Sequence, residues 1–216
     1  MSEEKKILIA VPCMNQVPAE FAYSLANLTK IGQCATLFKI GTLVYVARDE
    51  LAKAALACGA DFIFWLDSDM EFQPDILKRM MQTYEENDVD ILTGLYFRRV
   101  APYTPTLFEH LNLDDENVEW SDFTRIDNKP FEVEGCGFGC ILMKTEIFPE
   151  VQREFGCMFT PLKGMGEDLA FCWRARKLGY KIMCDPRILL GHIGYNIVTK
   201  DFFLNYQERS NNDKND

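Results

Sequence analysis

The strongest constraint in this 216-residue chain is the stretch Asp61-Phe62-Ile63-Phe64-Trp65-Leu66-Asp67-Ser68-Asp69. An unbroken apolar run that stops at two carboxylates one residue apart suits a strand covered on both faces, as in a parallel sheet. The carboxylates then stand at the strand's C-terminal end, the edge at which open α/β sheets bind ligands. Divalent cations bound alongside phosphates are typically held by one or two carboxylates. An isolated Asp-x-Asp is equally an ordinary solvated turn, so its neighbours must decide between the two readings.

Those neighbours alternate strand and helix signals through the first hundred residues, the pattern of a βαβ sheet. Residues 6–11 read as a first strand. Pro18 opens a helix carrying Phe21, Leu25 and Leu28, with Gly32 placed to end it. Residues 35–40 and 43–47 read as short strands around Gly41, and residues 49–58 as a helix closed by Gly59. Beyond Pro74, the stripe Ile76, Leu77, Met80, Met81 and Tyr84 predicts an amphipathic helix, followed by a strand at 90–95. The regular pattern then fails over residues 98–129, a long excursion of the kind that carries function or mobility. Strands are expected at 131–134 and 140–144, a helix at 167–178 ended by Gly179, a strand at 180–184 and an apolar run at 188–190. Residues 210–216 read as a disordered polar tail.

Hydrophobic residues make up 48% and charged residues 26%, which suits one folded domain with a good core. A net charge of −10 argues against an electrostatic grip on a polyanion. It also means that a bound diphosphate needs positive charge from elsewhere, for which a metal ion is a ready source. The N-terminus carries no secretory signal and no segment is apolar enough to span a bilayer, so a cytoplasmic location is expected. The eight cysteines are then expected to be reduced, mostly buried small hydrophobes. Cys136 and Cys140 have a spacing that zinc tolerates, but no second pair completes four ligands.

Known roles for Asp-x-Asp narrow quickly. A calcium loop starting at Asp67 needs Gly at its sixth position and Glu at its twelfth, where this chain has Phe72 and Lys78. A phosphatase with an aspartyl nucleophile resembles the haloacid dehalogenase type, whose pattern continues with Thr or Val where Glu71 stands. Two further constellations carry chemistry. Glu167-Asp168 opens a helix, where the dipole keeps a carboxylate ionised; the pair reads either as an ordinary acidic N-terminus or as the source of a general base. His192 lies in Gly191-His192-Ile193-Gly194, and an imidazole beside carboxylates suits Mn²⁺ better than Mg²⁺. Tyr96, Phe97, Arg98 and Arg99 read equally as site lining or as aromatic packing with solvated arginines, whereas Trp65 reads as core.

Taken in order, these segments resemble the GT-A fold glycosyltransferases, and among them the large inverting, nucleotide-sugar-dependent family with bacterial and phage members. Ile9-Ala10-Val11-Pro12 with Asn15 resembles the first strand and nucleotide loop. Ala47-Arg48-Asp49 resembles the segment where an Arg nears the diphosphate, although Asp49 replaces a frequent Asn. Residues 59–69 resemble the approach to the metal-binding Asp-x-Asp, and residues 135–143 the glycine-bearing segment beside donor sugar and acceptor. Glu167-Asp168 resembles the acidic pair and His192 the late metal ligand.

The resemblance implies an α/β fold of GT-A type, with a Rossmann-like, mostly parallel sheet flanked by helices in a single domain. It divides that domain, residues 1–209, into a nucleotide-sugar half (1–95) and an acceptor and catalytic half (96–209). It implies a divalent ion, Mn²⁺ or Mg²⁺, on Asp69 and His192, with Asp67 supporting it or touching the ribose. Pro12, Asn15, Arg48 and Ser68 would complete the nucleotide-sugar site, with Gly137, Phe138 and Gly139 beside sugar and acceptor. Asp168, ahead of Glu167, would be the base in an inverting transfer from a nucleotide diphosphate sugar, a uridine one being the commoner. The acceptor stays open among glycan, protein, lipid carrier and, against the acidic charge, modified DNA. A nucleotidyltransferase is the rival alongside the phosphatase; it would favour a glycine-rich phosphate loop where Pro12-Cys13-Met14-Asn15 stands. The non-enzyme rival is a degenerate nucleotide-sugar-binding interaction protein, against which Asp67, Asp69, the acidic pair and His192 all speak.

Overall fold

The computed structural model describes residues 4–113, 117–123, 126 and 128–212. In chain order the strands are β1 (Lys6–Cys13), β2 (Gln33–Ile40), β3 (Phe62–Leu66), β4 (Met70–Glu71), β5 (Ile91–Leu95), β6 (Leu107–Leu113), β7 (Val118–Asp122), β8 (Phe131–Glu132), β9 (Gly135–Cys136), β10 (Cys140–Lys144), β11 (Ile182–Leu189) and β12 (Gly191–His192). The helices are α1 (Ala19–Ala26), α2 (Val44–Ala57), α3 (Ile76–Glu86), α4 (Ile147–Phe155), α5 (Glu167–Lys177) and α6 (Lys200–Asn212).

Seven strands form the central sheet in the order β2-β1-β3-β10-β5-β11-β8. β2, β1, β3, β5 and β11 share one direction, while β10 and β8 are antiparallel to their neighbours, which makes the sheet mostly parallel. All five residues of β3 are buried. Because successive side chains of a strand point to opposite faces, Phe62, Phe64 and Leu66 join one core with Phe21 of α1 and the apolar stripe of α3. Ile63 and Trp65 join the other, with Leu51 and Ala55 of α2, Phe148 of α4 and Phe171 of α5. Each large side chain buried in this way contributes about 1.5–3 kcal/mol, so this strand pins both helical layers to the sheet.

Residues 43–47, expected as a strand, instead begin α2, with Leu43 as its N-cap residue. The β-branched and aromatic Val44, Tyr45 and Val46 favour a strand locally, but helix continuity with the buried residues Ala47 and Leu51 overrides that preference. Gly59, at φ 66°, closes the same helix. The excursion after residue 98 holds β6 and β7, an antiparallel pair that β9 extends to three strands. α4 and α6 were not anticipated. The expected tail is helical through Asn212, and residues 213–216 lie outside the described residues. Among the described residues, no helix is long and apolar enough to cross a membrane.

Candidate active site

Several chain segments meet at the C-terminal edge of the parallel strands. Pro12 and Cys13 end β1, and the Gly41 N–H donates to the Cys13 carbonyl (3.1 Å), folding residues 41–43 back beside them. Asp67 directly follows β3, and its N–H donates to the Gly139 carbonyl (3.1 Å) just before β10. Three residues later, β4 pairs with β12, setting His192 opposite Met70, and the Ile193 N–H donates to the Asp69 carbonyl (2.8 Å). This short ladder is what brings a histidine from the end of the fold to the Asp-x-Asp turn. The segments enclose a cleft of about 680 Å³, lined among others by Pro12, Arg48, Asp67, Ser68, Asp69, Gly137, Phe138, Glu167, Asp168 and His192.

Arg48 lies at the centre and is 2% exposed. Its Nη2 donates to both oxygens of Asp67 (2.9 and 3.2 Å) and its Nε to Glu167 Oε1 (3.3 Å). The guanidinium carbon lies 5.6 Å from the Trp65 ring centroid and 5.2 Å from that of Phe138. Arg48, expected near the diphosphate, lines the cleft and bridges the two acidic motifs. Only its buried Nη1 has no protein partner. Burial pushes the Asp67 carboxyl above its ordinary value, with Arg48 pulling it back and Asp69 adding to the rise.

Asp69 is different. Burial works to raise its carboxyl too, but His192 and Arg99 prevail and hold it below the usual carboxylate range. Arg99 Nη1 is 2.9 Å and His192 Nε2 3.5 Å from the same oxygen, Oδ2. His192 Nδ1 lies 2.8 Å from the Phe97 carbonyl, which can only accept, so Nδ1 donates there and Nε2 is the ring nitrogen turned toward Asp69. Of the residues expected around a metal, Asp69 and His192 stand side by side, while the Asp67 carboxylate is held by Arg48. Among the described residues, no three His, Cys, Asp or Glu side chains are grouped to hold a metal. A carboxylate oxygen with an imidazole nitrogen suits a divalent ion whose remaining positions are filled by substrate phosphate.

Asp168 sits in the first turn of α5, its Oδ1 accepting the N–H of Leu169 (2.8 Å). Burial, reinforced by Glu167, pushes its pKa up to about 6, in the range of a working general base. Glu167 is committed to Arg48, which leaves Asp168 as the freer carboxylate.

Of three further expected residues, two sit outside the lining and one forms its floor. Asn15 is exposed beyond the cleft lining. Phe138 is 1% exposed and forms the floor under Arg48, against Trp65, Phe159 and Phe171. Gly139 lies behind Tyr96, whose hydroxyl accepts its N–H (2.8 Å). Of the stretch that follows β5, Tyr96, Arg98 and Arg99 line the cleft, while Phe97 is core, stacked on Phe203. Reading the sequence did not pick out Met14, Thr42, Leu43, Val44, Thr106 or Phe108, which also line it. Nothing in their residue types marks them, since apolar and hydroxyl side chains are common everywhere.

A Cβ on Gly137 would stand 2.3 Å from the Tyr96 hydroxyl oxygen, and one on Gly139 2.7 Å from the ring. Tyr96 in turn lies edge-to-face with His192 (5.5 Å, 82°). Gly139→Ala is therefore expected to cost about 1–3 kcal/mol, read from a urea midpoint, and to disturb His192 through the displaced ring.

The family model described as Glycosyl transferase family 2 matches residues 48–152. That span opens on Arg48 and includes Asp67, Asp69 and residues 135–143. The chain is a glycosyltransferase of GT-A fold. Among solved structures, this glycosyltransferase is similar to A197 from STIV, at 18% identity and TM-score 0.65, over 88% of this chain and 86% of that one. It is also similar to GalNAc-T7 with UDP, GalNAc and Mn²⁺, at 11% identity and TM-score 0.62, over 90% of this chain and 45% of that one. Searching the curated proteins returned no match. The family match stops before α5, so the acidic pair and His192 of the glycosyltransferase owe their place at the cleft to the fold.

Proposed function

We propose that this glycosyltransferase moves a sugar from a uridine diphosphate donor to an acceptor hydroxyl, with inversion, in a reaction that depends on Mn²⁺ or Mg²⁺. The observation that carries the reading is the meeting of Asp69, His192 and Asp168 in one cleft, from positions 69 to 192 of the chain. Asp69 and His192 would hold the ion, which when bound supplies positive charge for the leaving diphosphate. Pro12, Thr42, Leu43 and Val44 line the end of the cleft suited to the nucleoside. Residues 1–95 then serve the donor, and most of 96–209 the acceptor and the chemistry.

Asp168 takes the proton of the acceptor hydroxyl as its oxygen attacks the anomeric carbon. The bond to the diphosphate oxygen breaks and its electron pair leaves with the nucleotide. Attack opposite the leaving group inverts the centre. Glu167, held by Arg48, is badly placed to compete as nucleophile or base. The solved relative holding UDP and Mn²⁺ supports this donor and ion, and eight free thiols support a reducing, cytoplasmic setting.

The test is thermal stabilisation by UDP-sugars and GDP-sugars with and without Mn²⁺. A ligand at about a hundred times its Kd adds about 2.7 kcal/mol, which is about 5–10 °C for a chain of this size. A UDP-sugar is expected to give that shift only with metal present, and Asp69→Ala to abolish the metal-dependent part. A shift that survives in Asp69→Ala would remove Asp69 as a ligand.

A further inference from the structure

Immediately outside the cleft, the β6–β7 pair carries an indole that its surroundings hold in place yet leave open. Trp120 is 50% exposed. Its ring meets the Phe108 ring edge-to-face (5.6 Å, 81°), and Phe108 lines the cleft. The Arg98 guanidinium lies 5.5 Å from the Phe108 centroid and 5.9 Å from that of Trp120. Arg98 is itself fixed: its Nη2 donates to Asp122 Oδ1 (2.6 Å), while Thr104 Oγ1 donates to Asp122 Oδ2 (3.3 Å). The Arg98 N–H also donates to the Thr104 carbonyl (2.9 Å), closing residues 98–104 into a turn under the strand pair.

A surface tryptophan is ordinarily free to turn over and cover itself. Here Phe108 meets the ring edge-to-face and Arg98 lies over it, so the indole is held while half of the residue stays open to solvent beside polar groups. Such a rigid aromatic face next to a charged, hydrogen-bonding fork suits a ligand that is itself apolar on one side and polar at its rim.

We propose that Trp120, with Arg98 and Asp122, forms an acceptor subsite, and that the acceptor is a carbohydrate chain of at least two sugars. A pyranose has this two-sided character: axial C–H groups pack on the indole while equatorial hydroxyls meet the flanking fork. The position specifies the length. Trp120 adjoins the cleft through Phe108 without lining it, so it meets the sugar next to the one that carries the reacting hydroxyl. The net charge of −10 weighs against nucleic acid as the occupant. The inference rests on the glycosyltransferase reading and names its acceptor class.

The experiment is saturation-transfer NMR on the whole protein with maltose, lactose, cellobiose and N,N′-diacetylchitobiose as probes, without donor. At least one disaccharide is expected to receive saturation at its ring C–H protons. Trp120→Ala should weaken its binding at least tenfold, and Trp120→Phe should restore most of it, which a purely structural defect would not allow. No binding by any probe, equal binding by Trp120→Ala, or binding of an unglycosylated peptide in their place through Trp120 would overturn the proposal. UDP with Mn²⁺ is titrated separately by calorimetry. Its failure to bind would count against the donor assignment while leaving the disaccharide result intact.

Discussion

Replacing Arg48 by alanine is expected to cost about 3–5 kcal/mol, the cost of breaking a buried ion pair by removing one partner. The guanidinium is almost sealed from water and spans Asp67 and Glu167, with Asp168 close enough to feel its charge. Its loss leaves three carboxylates facing one another over an aromatic floor, with no cation between them. Lysine is no remedy, because a single ammonium cannot reproduce a planar fork that reaches both acids. The deficit should depend on pH with a definite sign. Arg48 pulls the carboxyls of Asp67 and Asp168 down against burial, so without it their folded-state pKa values rise further above the ordinary value, and the variant regains stability as pH falls and protons replace the missing cation. Urea unfolding at pH 5 and pH 8 checks this. A loss below about 1 kcal/mol at pH 8 would mean that the acids find other partners.

The second large effect is expected in turnover. Asp168→Asn should lower kcat by about 10²–10⁴-fold, the usual contribution of a positioned general base, with little change in donor binding. For the native enzyme, kcat/KM should fall as pH drops through about 6, where the Asp168 carboxylate takes up its proton. The variant's residual rate should lack that limb. Stability should move the other way. A carboxyl whose folded pKa lies above its unfolded value binds more protons in the folded state, so its contribution declines as pH rises from about 4 to about 6. Asparagine escapes that loss, and the variant is expected to be at least as stable as the native protein at pH 7. Unfolding is then excluded as the cause of lost activity, and an inactive but more stable variant would show that ionising this carboxyl costs the fold something. Unchanged turnover would remove Asp168 as the base.

Much of this was legible because the relevant signals are local. The apolar run before Asp67, the stripe on α3 and the glycines after α2 and α5 all act through periodicity or backbone conformation, which a sequence displays directly. α2 was read about a turn and a half too short at its start because Val44, Tyr45 and Val46 prefer a strand until long-range packing decides otherwise. The acids and His192 stood out by residue type, but their division of labour did not. Whether Asp67 faces a metal or an arginine depends on Arg48, 19 residues away in sequence, and on Glu167, far beyond it. Pairing between distant side chains leaves no periodic trace. The glycines at 137 and 139 were noticed for the right stretch, yet the close neighbour that excludes a side chain there is the Tyr96 ring, some forty residues earlier.

The reversed direction of β10 has a consequence for how the cleft is supplied with chain. In a sheet whose strands all point one way, only strand ends reach the binding edge, and strand beginnings lie at the opposite rim. Because β10 runs backwards between β3 and β5, its first residue, Cys140, sits beside Leu66, the last residue of β3. A strand beginning is thus delivered among strand ends, and residues 135–139 arrive at the Asp-x-Asp turn without any loop having to cross the sheet. The arrangement also makes the two segments mechanically one. An inserted residue between Gly137 and Cys140 would pull on the Asp67 N–H through the Gly139 carbonyl, so tolerance to lengthening should be far lower there than in the turn at residues 41–43, which hangs from a single backbone bond to Cys13.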